Sequence, residues 1–155
     1  MKKVLIIMLF GILMVSLLGF EKEEEGLPDL PVNDEQDWGL ELTVKDVTKS
    51  GVTIVFEQSG GNPSGELETG SDYKVLVYKN DAWSPVSYIV DSENLAWDAL
   101  AYIITKDGVT EMEEDWSYLY GELPKGIYAI EKEVMDFRGS GNYSTALYYA
   151  IFEIE

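Results

Sequence analysis

The side chains that carry most protein chemistry are missing from this chain. None of its 155 residues is His or Cys, and its one arginine is Arg138. Without imidazole or thiol there can be no Ser-His or Cys-His nucleophile pair, no thiolate and no His ligand for a transition metal. Carboxylates remain, with 29 Asp and Glu against 11 Lys and Arg and a net charge of −18. They can act in pairs, as in glycoside hydrolysis, or converge on calcium. One acidic run is Glu111, Glu113, Glu114 and Asp115. In a strand Glu111, Glu113 and Asp115 share one face, which makes a solvated row. Calcium needs six or more oxygens converging from loops. No carboxylate pair stands out by spacing. These residues predict a protein that is not an enzyme and holds neither cofactor nor metal.

Other features read as structure. Gly60-Gly61-Asn62-Pro63-Ser64-Gly65 has the composition of a phosphate cradle, but no helix and no Lys with Ser/Thr follows it. It is expected to be a flexible loop at one end of the fold. Asp72, Asp107 and Asp136 lie near turns and are expected to be turn formers. The negative charge repels nucleic acid phosphates and anionic lipid headgroups, so neither is expected as a partner.

The elements that must position any site are short and alternating. Leu40, Leu42 and Val44 alternate with polar residues, as do Val52, Ile54 and Phe56, the pattern of half-buried strands. Tyr73–Tyr78 is expected to be buried on both faces. Asn80-Asp81 signals a hairpin before Trp83. Ala99–Thr105 reads as a strand, Lys106-Asp107-Gly108 as its turn and Val109–Trp116 as its returning partner. Tyr128, Ile130 and Val134 make the next strand, and Arg138–Asn142 turns into the last, Thr145–Ile154. With no convincing amphipathic helix, this is an all-β chain, an antiparallel β-sandwich of about seven to nine strands.

Three segments are expected. Residues 1–20 open with Met1-Lys2-Lys3 and continue as an apolar run from Val4 to Phe20, a signal peptide or N-terminal membrane anchor. Leu17-Leu18-Gly19-Phe20 resembles the bacterial lipoprotein box, with Phe20 where the lipidated Cys belongs. Residues 21–37 form an acidic, Pro-containing tether. Residues 38–155 are the folded domain. The chain is therefore expected to be exported and to meet a membrane only through its N-terminal segment.

Leu123-Pro124-Lys125-Gly126-Ile127-Tyr128 closes a turn and places Tyr128 just inside a strand. An immunoglobulin-like sandwich turns its corner this way, with the Tyr hydroxyl tied back to upstream backbone. Gly51–Gly61, Trp116 with Tyr120–Tyr128, Lys132–Arg138 and Tyr149–Ile154 together resemble a bacterial immunoglobulin-like domain family, over roughly Leu40 to Ile154. That family is found in small Gram-positive lipoproteins and in extracytoplasmic parts of some membrane metallopeptidase sensors. The resemblance implies a sandwich and an extracytoplasmic address, and it supplies no catalytic residue.

In the last strand Tyr148, Ala150, Phe152 and Ile154 share one parity, expected inward. Leu147, Tyr149 and Ile151 share the other, an outward stripe able to bind a partner unless the tether or a loop covers it. Two functions follow. One is a non-catalytic binding or sensing module at the bacterial cell envelope, meeting an envelope protein or polymer. The other is a structural spacer or stabilising component of an envelope assembly.

Because Phe20 lacks the thiol that diacylglyceryl transfer requires, metabolic labelling with a fatty-acid analogue is expected to leave the chain unlabelled. Phe20→Cys should restore labelling if the leader is a decayed lipoprotein signal.

Overall fold

Alternation of apolar and polar residues is realised as strands throughout the computed structural model, which describes residues 27–30, 36–91, 93 and 95–155. The expected leader, and residues 21–26 and 31–35 of the expected tether, lie outside the described residues. The strands are β1 (Leu40–Lys45), β2 (Gly51–Gln58), β3 (Glu66–Thr69), β4 (Lys74–Lys79), β5 (Ala82–Pro85), β6 (Tyr102–Ile103), β7 (Gly108–Asp115), β8 (Gly126–Gly139) and β9 (Asn142–Ile154). A single helical turn, α1 (Ser117–Tyr120), joins β7 to the corner before β8.

Two antiparallel sheets face each other. The smaller has the order β1-β2-β7, and the larger is built on β8, with β9 on one edge. The other edge of β8 carries β4 along its first half and β3 along its second, with β5 beyond β4 and β6 beyond β3. Between the sheets lie Leu42, Val52, Ile54 and Phe56 from one side, and Val75, Val77, Ile130, Val134, Ala150, Phe152 and Ile154 from the other. Tyr148 packs on this core while half-buried, so the inward parity of the last strand is as its sequence indicates.

Two local devices set the frame. Asn80 and Asp81 both adopt positive φ, 52° and 58°, as a two-residue hairpin turn between β4 and β5 requires. At the corner, the Tyr128 hydroxyl donates to the Pro124 carbonyl at 2.8 Å, and its ring is 2 % exposed. The ring stacks on Phe152, which stacks in turn on Trp116, each pair 5.7 Å apart. A Cβ at Gly126 would come within 3.3 Å of the Tyr128 ring, so a larger residue there would require the ring to give by a few tenths of an ångström.

Three expectations are corrected. Ala99–Thr105 is not a strand paired with Val109–Trp116. Only Tyr102 and Ile103 are extended; they pair with β3 in the large sheet, while β7 pairs with β2 in the small one. The apolar run spans a crossover between sheets, and two β-prone segments around a turn mimic a hairpin. Second, the 60–65 loop is pinned and not loose. Asn62 bonds Asp37, and the amides of Ser64 and Gly65 donate to the Asp136 carboxylate at 3.0 and 2.5 Å. Third, Asp136 is no turn former. It lies within β8, 2 % exposed, and also accepts from the Arg138 guanidinium at 2.7 Å.

Tyr128→Phe removes the bond that ties a buried ring to the carbonyl of the exposed Pro124, and should cost about 0.5–1.5 kcal/mol. Chemical denaturation checks it: a lowered midpoint with an unchanged slope is expected, and an unmoved midpoint refutes the role.

Candidate functional site

A two-sheet sandwich covers one face of each sheet, yet the large sheet carries apolar side chains on both. Along its outer face Pro85, Leu76, Ala129 and Ile151 are directly paired neighbours, a row crossing β5, β4, β8 and β9. Leu76, Ala129 and Tyr149 form a second buried cluster there, with Trp83, Leu147 and Ile151 packed against it. Tyr73–Tyr78 is accordingly buried on both sides of its strand: Val75 and Val77 face the main core and Leu76 faces this one.

The structure thus brings Leu147, Tyr149 and Ile151 together on the face opposite the main core. It does not leave them open. Tyr149 is only 8 % exposed, and Leu147 and Ile151 are half-buried. The physical reason is local bulk. Trp83 reaches this cluster from the edge strand, its ring 5.2 Å from Tyr78, the residue it opposes. Part of the N-terminal tether also reaches the sheet: the Trp83 indole N–H donates to the backbone carbonyl of Asp29 at 2.8 Å. Pro28 is half-buried beside it, while Leu27 stays exposed.

A family model described as a bacterial Ig-like domain matches residues 36–150. The chain belongs to that family. No curated protein and no solved structure matches it.

Within this Ig-like domain one further constellation escapes sequence reading. Thr69 pairs with Val134 and Lys74 with Glu131, so residues 70–73 face only Lys132 and Glu133 across the ladder. This bulge leaves the Gly70 carbonyl without a strand partner, and the Lys132 ammonium donates to it at 2.6 Å. Lys132 is 0 % exposed. Its charge meets Glu114 from the opposite sheet, Nζ to Oε1 at 3.7 Å. That distance makes an ion pair and not a hydrogen bond, and Glu114 Oε1 accepts none. Burial pushes the Glu114 carboxyl up from its ordinary value, opposed by the Lys132 charge. Burial likewise pulls the Lys132 ammonium down, opposed chiefly by Glu114 and Asp72. The other carboxylates of the run, Glu111, Glu113 and Asp115, point to solvent, and Glu111 is paired with Lys45 at 2.8 Å.

Beside the bulge, a shallow cleft of about 220 Å³ is lined by Glu68, Asp72, Leu100, Glu133 and Met135, among others. Among the described residues no three His, Cys, Asp or Glu are grouped to hold a metal ion. The Lys132–Glu114 pair joins the two sheets and satisfies the bulge, which is a structural task.

Removing one partner of a buried pair strands the other charge. Glu114→Ala should therefore cost about 3 kcal/mol, and adding Lys132→Met should recover part of that loss. Denaturation of the two single variants and the double variant measures the coupling; additive losses would rule it out.

Proposed function

We propose that the chain is a non-catalytic, extracytoplasmic Ig-like module that acts at the bacterial cell envelope by binding a protein or polymer through the outer face of its large sheet. The observation that carries this reading is the apolar row from Pro85 to Ile151 flanked by Leu147 and Tyr149. Apolar side chains on a sheet face without a second sheet over it are retained where something is to cover them. The basic-then-apolar run at residues 1–20 supports export, and the family supports an extracellular setting. Non-catalytic action agrees with the lack of His and Cys.

A second reading, a structural spacer, is favoured by one observation: Tyr149 is already covered within the chain. In a spacer this face would be a secondary core and nothing more.

Leu147→Lys separates the two. Its side chain lies at the margin of the cluster, opposite Glu133 in the ladder, so stability should change by no more than about 1 kcal/mol. Capture from envelope extract should yield a component that the wild-type chain retains and this variant loses. A component retained equally by both, or none at all, sinks the binding reading and leaves the spacer.

A further inference from the structure

Leu76, Ala129 and Tyr149 are buried on a face that, among the described residues, no third layer of strands covers. Of the tether residues Leu27-Pro28-Asp29-Leu30, Asp29 meets the edge strand of that face through its backbone carbonyl and Pro28 is half-buried, while Leu27 and Leu30 are exposed. Their contact has a specific chemistry: an indole N–H donates to a backbone carbonyl, with a proline half-buried next to the accepting residue. Extended proline-bearing segments, whose carbonyls are not engaged internally, are bound in this way by aromatic-lined grooves. Trp83 and Tyr78 form such an aromatic pair at the edge of the sheet. The tether is also held downstream, where Asp37 bonds both the amide and the side chain of Asn62, and Trp38 is buried against Tyr148. Residues 27–30 are thus tied to the edge strand, and residues 37–38 to the loop after β2 and to β9.

We propose that the outer face of the large sheet is a groove for an extended, proline-bearing peptide segment, and that its resident occupant is the chain's own Leu27–Leu30. The segment is an intramolecular strap. Trp83 is the residue that recognises it, through its indole N–H and its ring, and the acceptor is backbone. Recognition therefore depends on conformation more than on the side chain of Asp29. A partner that uses this face must displace the strap or bind beside it. The strap is joined covalently to its site by a short connection. Its effective concentration is then on the order of millimolar, so a competing segment in trans is at a disadvantage. The inference rests on the same face as the binding reading but requires no partner.

The test uses the full chain, with Leu27→Asp, Pro28→Gly and Leu30→Asp combined in one strap variant. The Trp83 indole N–H signal is assigned by its disappearance in Trp83→Phe, and its hydrogen exchange is followed by NMR. Exchange in the wild type should be at least about tenfold slower than in the strap variant, while the Trp116 indole, bonded to the Lys49 carbonyl, stays unchanged. A synthetic peptide of residues 27–37 should bind the strap variant and bind the wild type about tenfold more weakly or worse. Equal exchange at Trp83 in the two chains overturns the proposal. So does failure of the peptide to bind the strap variant at about millimolar concentration. Both measurements use purified protein alone, so their failure is distinct from loss of capture in Leu147→Lys. A working strap with no captured component leaves the strap in place within a spacer.

Discussion

The architecture depends on β8, which is paired along both edges and buried on its inward face. Its two edges are taken by β9 on one flank and by β4 and β3 on the other, and its inward residues Tyr128, Ile130 and Val134 fill the space between the sheets. Its outward Ala129 is buried as well. A three-stranded sheet can cover one side only, so the other side must be closed by something else. Each buried aliphatic side chain is worth about 1.5–3 kcal/mol, so an outer cluster of this size is a considerable part of the stability of a small domain. Trp83 on a four-residue edge strand and the parity of β9 serve that second closure, and the Trp83 indole is itself held by the Asp29 carbonyl.

The same crowding explains the charged pair in the interior. Where β3 gives way to β4, the ladder against β8 gains two residues, and the backbone at Gly70 needs a donor that no strand supplies. A lysine can reach across such a gap, but its charge then needs a counter-charge in a medium of low polarity. Glu114 supplies it from the other sheet. One irregularity in hydrogen bonding thus determines the chemistry of a residue nearly opposite it in the sandwich.

Legibility in the sequence followed the range of the interactions. Strands whose alternation is long enough, such as Val52–Phe56 and Thr145–Ile154, could be read because the period of two is a local property. The Tyr128 corner was equally legible, since donor, acceptor and glycine lie within four residues of the tyrosine. β3 was not, because Glu66-Leu67-Glu68-Thr69 offers one apolar residue in four. The crossover at Ile104 was read as strand because β propensity does not say which sheet a segment joins. The parity of Leu147, Tyr149 and Ile151 could be counted, but their cover could not: Trp83 lies more than sixty residues away in sequence and Asp29 more than a hundred. The burial of Lys132 and Glu114 was not legible, because charged side chains are seldom inside unless paired, and each finds its partner only across the core.

Lys132 also has a consequence for how the chain finds its pairing. Strands β8 and β9, 14 and 13 residues long, form a hairpin with apolar residues on both faces. In most sheets a slip of one residue is penalised because it turns the apolar set outward; here the outward face of β9 is apolar too, so the penalty falls mainly on the carboxylates Glu131 and Glu133 of the outward face of β8. A slip of β8 by one place would carry the ammonium of Lys132 to the outer side and bring Glu131 or Glu133 into the interior without a cation. A slipped alignment would thus bury an unpaired carboxylate and leave Glu114 without its cation, and the Lys132–Glu114 pair is satisfied in one alignment of the hairpin.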